Sequence, residues 1–225
     1  MSSNDEIRVG VISSVSPQKK DPTRVSVFVD GEFAFGIDAS IAAERGFRSG
    51  VTVERAQVQS ALSQDEALRA FNAGVYLLSF RMRTVREIRR RLARRGFDEV
   101  AADEAVRRLT DRGYLNDRAL AQDYAQSRVH IRGEGLHRIR TTLQRRGVGR
   151  DIIDEVLADL SSDVDWLATA REQAERRWKR LGTTSDPRRR QKKLYDYLLR
   201  RGFDYDVARR VTAEFSDLPE SGTDE

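Results

Sequence analysis

A leucine-containing motif that ends in two arginines and a glycine occurs three times in this chain of 225 residues. The copies are residues 92–97 (LARRGF), 143–148 (LQRRGV) and 198–203 (LLRRGF), and their glycines are 51 and 55 residues apart. Self-similarity at a period of this length is typical of helical repeat proteins. We therefore expect the chain to be built from repeated helical units.

Apolar residues flank each motif at constant offsets from its glycine. One apolar residue lies eight positions before each glycine and another lies four positions before it, so the two share one face of a helix. In chain order these pairs are Ile88 and Leu92, Ile139 and Leu143, and Leu194 and Leu198. After the glycine, apolar residues recur at offsets 5, 6, 9 and 13. They are Ala101, Ala102, Ala105, Leu109, then Ile152, Ile153, Val156, Leu160, then Val207, Ala208, Val211, Phe215. This is the pattern of a second helix.

The glycine marks the end of the first helix of each pair. Glycine adopts the left-handed conformation without a Cβ clash. The apolar residue after it, which is Phe97, Val148 or Phe203, can fold back on the last turn. The two arginines complement the carbonyl end of the helix dipole. Each motif therefore predicts a helix, a stop and a second helix.

The N-terminal region has an apolar period of two, which predicts strands. Val9, Val11 and Val15 alternate with polar residues, and a second alternating run leads into Asp-Gly at residues 30–31. Asp-Gly is typical of a two-residue hairpin turn with positive φ at both positions. Asp38 can cap a short helix after the hairpin. We expect a small β-rich module here.

Capping signals predict where several helices begin. Residues 63–66 (SQDE) and 84–87 (TVRE) have the spacing of a capping box. Asp98 can cap a further helix, and Asn116 or Asp117 can cap the helix that opens the second repeat. Asp186 followed by Pro187 predicts another helix start. The chain is therefore expected to be mainly helical, with three tandem three-helix repeats after the β-rich module. The expected parts are residues 1–62 (module), 63–113, 114–161 and 162–216 (repeats), and 217–225 (a disordered acidic tail).

Composition excludes several classes of protein. The chain has no cysteine, so neither a disulfide framework nor a thiolate metal site can form. Its first residues have no apolar segment, and no apolar run approaches the ~18 residues needed to span a bilayer. We expect a cytoplasmic protein with no membrane contact.

Catalytic chemistry has little support in the sequence. Neither a Gly-x-x-x-x-Gly-Lys-Ser/Thr loop nor a Gly-x-Gly-x-x-Gly turn occurs. His130, Glu134 and His137 could in principle hold a metal, but Gly133 and Gly135 interrupt any helix that would place them on one face. The alternative, a polar loop, is the interpretation we favour. We expect no catalytic residue, no cofactor and no metal.

Positive charge is concentrated in the repeat region. Residues 1–62 carry a net charge of −1, residues 63–216 carry +10, and residues 217–225 carry −4. Arg86, Arg90 and Arg94 are spaced four apart, opposite the apolar face of their predicted helix. Such a surface suits a polyanion or an acidic protein. The alternative is a solvated face that is merely rich in arginine, since 36 of the 41 basic residues are arginine.

The candidate partner-binding residues come from all three repeats. They are Arg86, Arg90, Arg94, Arg95, Arg138, Arg145, Arg146, Lys192, Arg200 and Arg201.

The ordered motifs resemble the RecX family of bacterial regulatory proteins, the modulators of the RecA recombinase. The resemblance covers about residues 63–216 and is carried by residues 76–84 (YLLSFRMRT), Glu87, the three repeated motifs, residues 112–117 (RGYLND), Ala121, residues 127–128 (SR), Gly133, Leu136, Ile139 and Tyr205. Residues 28–35 (FVDGEFAF) resemble the β-extension of some members.

This resemblance implies an elongated, curved array of three-helix repeats that lies in the groove of the RecA filament on DNA. It implies a non-enzymatic inhibitor that reduces ATP turnover, strand exchange and the stimulation of repressor self-cleavage. Each repeat would contact a successive protomer, so that weak contacts add through connectivity. Single-stranded or double-stranded DNA is a second candidate partner, and we expect a monomer.

Two other classes of function stay open on the sequence alone. One is a sequence-independent nucleic-acid-binding protein that acts through phosphate contacts, whose affinity would fall steeply with salt. The other is a hydrolase that uses Glu134 and the histidines, whose activity a chelator would abolish.

Overall fold

The structure, a computed structural model, describes residues 8–181 and 186–215. These residues form four strands and ten helices, which confirms a mainly helical fold with an N-terminal β module. The chain divides into two compact units. The first comprises residues up to Arg81 together with Ile88–Leu115, and the second comprises Met82–Glu87 together with residues from Asn116 onward. No described helix is both long and apolar enough to cross a membrane.

The N-terminal module is a four-stranded antiparallel sheet in the first unit. Its strands are β1 (Gly10–Pro17), β2 (Arg24–Val29), β3 (Glu32–Asp38) and β4 (Thr52–Val53), in the order β3-β2-β1-β4. The predicted turn joins β2 to β3, with φ of 50° at Asp30 and 85° at Gly31. The predicted hairpin is therefore confirmed.

The predicted alternation in β1 is wrong. Ile12 is fully buried, whereas Val9 and Val11 are exposed. The pairing of β1 with β2 shifts between Ile12 and Ser14, and an extra residue at such a bulge interrupts the alternation of faces. Ile12 before the bulge and Val15 after it therefore both contact the module core, although they are an odd number of residues apart.

Two helices follow within the first unit. Helix α1 (Ala39–Glu44) begins at the predicted cap, where the Asp38 carboxylate accepts a hydrogen bond from the Ser40 N–H. Helix α2 (Arg55–Leu78) begins before residue 63, so the helix start predicted there is wrong.

The early start of α2 has a tertiary cause. Its first turns place Val58 and Ala61 in the core of the β module, and burial of an apolar face stabilises a helix more than a cap does. The capping box is formed by Glu54 and Gln57 instead. The boundary expected after residue 62 thus falls within a continuous helix.

Nine of the described helices form the three repeats. They are α2, α3 (Val85–Arg94) and α4 (Glu99–Asp111), then α5 (Asp117–His130), α6 (Leu136–Arg146) and α7 (Arg150–Asp163), then α8 (Trp166–Leu181), α9 (Pro187–Arg201) and α10 (Tyr205–Ala213). The caps predicted at Thr84, Asp98 and Asp186 are confirmed, and of the two candidates Asn116 and Asp117 it is Asn116 that caps α5. The expected tail, residues 217–225, lies outside the described residues.

Each repeated motif ends its helix in the same hydrogen-bonded geometry. The φ angles are 88° at Gly96, 89° at Gly147 and 92° at Gly202. The N–H of the next residue donates to the carbonyl of the motif leucine, at 3.3, 3.1 and 3.2 Å respectively. Each glycine N–H donates to the carbonyl three positions earlier. This is the Schellman arrangement, as the sequence predicts.

The predicted apolar faces are buried. The six residues before the glycines, Ile88, Leu92, Ile139, Leu143, Leu194 and Leu198, are all fully buried. In the second unit, those of α6 and α9 belong to two separate cores, one for helices α5–α7 and one for helices α8–α10.

The end of α9 lies against the start of α6 in the second unit. The N–H of Gly135 donates to the Arg201 carbonyl at 2.9 Å, and the N–H of His137 donates to the Gly202 carbonyl at 3.0 Å. The carbonyl end of one helix therefore satisfies the free N–H groups at the start of another.

We expect Gly202→Ala to destabilise the protein more than Gly96→Ala. Both residues have positive φ, so each substitution carries a penalty of about 1–2 kcal/mol. A Cβ at Gly96 would meet no atom within 4 Å, whereas one at Gly202 would lie 2.4 Å from the Arg138 backbone nitrogen. Urea unfolding followed by circular dichroism measures both losses. Equal losses of unfolding free energy in the two variants would contradict the close approach of Gly202 to the Arg138 backbone.

Candidate binding surface

Six of the ten predicted contact residues are exposed cations whose side chains have no hydrogen-bond or ion-pair partner among the described residues. They are Arg86, Arg90, Arg94, Arg145, Lys192 and Arg200. Their charges are therefore available to an external anion.

Three of these residues form a ridge on α3. Arg86, Arg90 and Arg94 are spaced four apart and share one helix face, while Ile88 and Leu92 on the other side are fully buried. We call these three arginines the α3 ridge. Three like charges without a counter-charge produce a local positive potential that attracts anions.

An exposed aromatic pair lies at the end of α2, which the sequence analysis did not predict. The ring centroids of Tyr76 and Phe80 are 5.0 Å apart, and the two residues are 58% and 66% exposed. The Arg95 guanidinium lies 5.8 Å from the Tyr76 ring. Exposed aromatic residues beside a cation are typical of interaction surfaces. The only available sequence signal was their spacing of four residues.

Arg146 has internal partners. Its Nε lies 3.1 Å from Glu87 Oε1, and its Nη2 lies 3.2 Å from Glu87 Oε2. The same guanidinium group lies 5.7 Å from the centroid of the Tyr124 ring. The side chains of Arg146 and Glu87 are only 19% and 11% exposed. The Thr84 hydroxyl donates to the Arg146 carbonyl at 2.7 Å. Arg146 therefore joins the end of α6 to the first turn of α3.

Arg201 and Arg138 also make contacts within the second unit. Arg201 donates to Gln173 Oε1 at 2.9 Å, and to the carbonyls of Arg132 and Gly133. Arg138 lies 3.2 Å from Glu134 and donates to the Arg200 carbonyl at 3.1 Å. These guanidinium groups hold helix ends in place.

The histidines and Glu134 have separate partners. Glu134 is buried and pairs with Arg138, whereas His137 Nε2 lies 2.6 Å from Asp204 and His130 is exposed. Across residues 8–181 and 186–215, no three histidine or acidic side chains are arranged to hold a metal ion.

Asp117 lies beside the contact between α3 and α6. Its Oδ1 accepts a hydrogen bond from the Val85 N–H at 3.0 Å. Burial is the largest effect on the pKa of Asp117 and raises it, and the negative charge of Glu87 raises it further. The hydrogen bond from the Val85 N–H and the positive charge of Arg146 lower it by less, so the pKa is raised overall.

We expect Glu87→Gln to lower the free energy of unfolding by about 2–4 kcal/mol, because it leaves the buried Arg146 charge without a counter-charge. Glu155→Gln is the matched control, since Glu155 pairs with Arg118 across two helices where both side chains are about half exposed. Its cost should be less than about 1 kcal/mol. Chemical unfolding of both variants tests this, and similar losses would contradict the structural role of Arg146.

We expect Asp117→Asn to stabilise the protein more near neutral pH than in acid. The pKa of the folded carboxyl is above its ordinary value of 3.8, so the folded state binds the proton more tightly and stability falls as pH rises through this range. Asparagine keeps an acceptor for the Val85 N–H but does not ionise. The free energy of unfolding of variant and parent should be measured across this pH range. The difference between the two should grow as pH rises, and a difference independent of pH would refute the raised pKa of Asp117.

Comparison with known proteins identifies the family. Four RecX profiles match in order: the N-terminal domain at residues 10–54, and the first, second and third three-helix domains at residues 70–109, 116–157 and 163–212. A regulatory protein RecX from Clostridium perfringens (strain 13 / Type A) is 30% identical over 209 residues, which cover 91% of this chain and 97% of that protein. The RecX of Listeria innocua is 29% identical over 203 residues, 90% of this chain and 75% of that protein.

Solved structures agree in fold. A crystal structure of regulatory protein RecX superposes with a TM-score of 0.74 at 23% identity, covering 92% of this chain and all of the other. RecX from Lactobacillus salivarius gives a TM-score of 0.60 at 24% identity, covering 67% of this chain and 97% of the other. Because the profiles span most of the sequence and a relative matches nearly all of it, the chain belongs to the RecX family of regulatory proteins.

Proposed function

We propose that this protein is a negative regulator of the RecA recombinase. It binds in the groove of the RecA filament on DNA through its basic helical-repeat surface, and it inhibits ATP turnover, strand exchange and the stimulation of repressor cleavage. Membership of a family of regulatory proteins supports a regulator rather than an enzyme.

The observation that carries this proposal is the α3 ridge. Like charges four positions apart destabilise a helix by about 0.2–0.5 kcal/mol per pair, and these arginines have no counter-charge among the described residues. An acidic partner surface would supply that counter-charge. The buried face of α3 holds the ridge in a fixed position, which lowers the entropy lost on binding.

The other predicted residues divide by their contacts. Arg95, Arg145, Lys192 and Arg200 are exposed and extend the proposed contact surface. Arg138, Arg146 and Arg201 bind other parts of the second unit, so we assign them a role in positioning helices.

Nucleic-acid binding through phosphate contacts alone is the second candidate function. The net charge of +10 over residues 63–216 favours it. A titration at fixed salt with and without RecA separates the two: a signal that requires the recombinase supports the first function, and one indifferent to it supports the second.

We expect the variant Arg86→Glu/Arg90→Glu/Arg94→Glu to need at least about tenfold more protein for half-maximal inhibition of DNA-dependent ATP hydrolysis by RecA. Three exposed charge contacts of about 0.5 kcal/mol each correspond to that factor. Helical circular dichroism should be retained, because none of the three arginines is buried.

The matched control is Lys19→Glu/Lys20→Glu/Arg48→Glu, which makes the same change of charge on exposed residues of the β module. It should inhibit like the parent. Full inhibition of RecA by the ridge variant would show that the ridge is not part of the binding surface. An equal loss of inhibition in both variants would show that only the net charge of the protein matters.

A further inference from the structure

An ion pair joins the second and third helices of the first two repeats at identical offsets from the motif glycine. Arg89 and Asp103, seven positions before and after Gly96, are 2.7 Å apart. Arg140 and Asp154, at the same offsets from Gly147, also form an ion pair. In both repeats the cation at this position is therefore neutralised.

The third repeat lacks this ion pair. At the same offsets from Gly202 it has Tyr195 and Arg209. Among residues 8–181 and 186–215, the one acidic side chain that Arg209 approaches is Asp206, on its own helix, at 3.7 Å, and the two side chains are 80% and 88% exposed. A contact that long and that exposed is largely screened by solvent. A cation therefore stays available where the other repeats have a closed pair.

Arg209 lies on the wall of a groove between α9 and α10. The groove has a volume of about 520 Å³ and is lined by Arg188, Gln191, Lys192, Tyr195, Arg209 and Thr212, with Ala213 at its edge. Three of these side chains are cations and none is a carboxylate. Neither Arg188 nor Lys192 has a partner among the described residues.

The corresponding helices of the first repeat make a different surface. The groove between α3 and α4 contains two arginines, but Asp98, Glu99 and Asp103 also line it. Acidic side chains thus outnumber basic ones there, which disfavours an anionic ligand. The absence of acid from the lining of the α9/α10 groove is therefore not shared by the corresponding groove of the first repeat.

We infer that the α9/α10 groove binds the sugar-phosphate backbone of a single-stranded nucleic acid. Its cations suit successive phosphates, and the partly buried Tyr195 offers a ring on which a base can stack. A concave groove accepts an extended strand, whereas reading the sequence of duplex DNA needs an element that protrudes into the DNA groove. An acidic peptide would use the cations but leave the ring unused. The inference gives a site to the second candidate function, nucleic-acid binding through phosphate contacts, and rests on it. Its test is carried out without RecA, so its failure is distinguishable from failure of the RecA proposal.

The first test is binding of a fluorescein-labelled oligothymidylate, followed by fluorescence anisotropy without RecA. Lys192→Gln/Arg209→Gln should bind about 20-fold more weakly at about 0.1 M salt, since each lost phosphate contact reduces the slope of log affinity against log salt by about 0.7. Lys19→Gln/Lys20→Gln removes the same charge from the β module and should bind like the parent. No binding by the parent chain, or equal losses in both variants, would overturn the inference.

A second variant restores the ion pair of the other repeats. Tyr195→Arg/Arg209→Asp should fold with unchanged helical circular dichroism and lose most of its affinity for the strand. Unchanged affinity would overturn the inference.

Competition identifies the ligand. Unlabelled oligothymidylate should displace the labelled strand, whereas inorganic phosphate, a duplex of equal length and a polyglutamate peptide of equal charge should displace it poorly. If the peptide, the duplex or free phosphate displaced the labelled strand as effectively as unlabelled oligothymidylate does, the groove would not be a site for single-stranded nucleic acid.

Discussion

The carbonyl groups at the end of a helix must find hydrogen-bond donors, and this requirement organises the repeats. The left-handed glycine of each motif turns the chain so that two backbone N–H groups satisfy two of these carbonyls. In the second unit, further donors come from the start of another helix: Thr84 donates to the Arg146 carbonyl, and Gly135 donates to the Arg201 carbonyl. Contacts between helix ends in this unit therefore combine backbone and side-chain donors.

The same requirement divides the arginines by role. Arg146 and Arg201 are at equivalent positions in two motifs, and both guanidinium groups bind where one helix end meets another. Arg145 and Arg200, one position earlier, face solvent. Residue type and motif position alone would assign all four to one surface. Burial and partners show that in the second and third motifs only the first arginine is available to another molecule, whereas in the first motif both Arg94 and Arg95 are exposed.

Local patterns predicted much of the fold. The motif glycines, the apolar faces and the Thr84, Asp98 and Asp186 caps depend on residues close in sequence, so the chain itself shows them. The phase of β1 and the start of α2 could not be predicted in this way, because the bulge between Ile12 and Ser14 and the burial of Val58 depend on contacts with distant residues. The ion pair of Arg146 with Glu87 spans 59 residues and leaves no local signal. The candidate surface was therefore only partly foreseeable.

The contact between Gly135 and Gly202 has a consequence for how this protein can change. A Cβ at Gly135 would lie 2.2 Å from the Gly202 carbonyl oxygen, so main chain meets main chain with no side chain between them. The close approach of α6 and α9 consequently rests on main-chain contact at this point, with the Arg138 and Arg201 side chains bonded beside it. Exposed residues on the second or third repeat can therefore change without disturbing this contact, so each of these two repeats can acquire its own ligand preference.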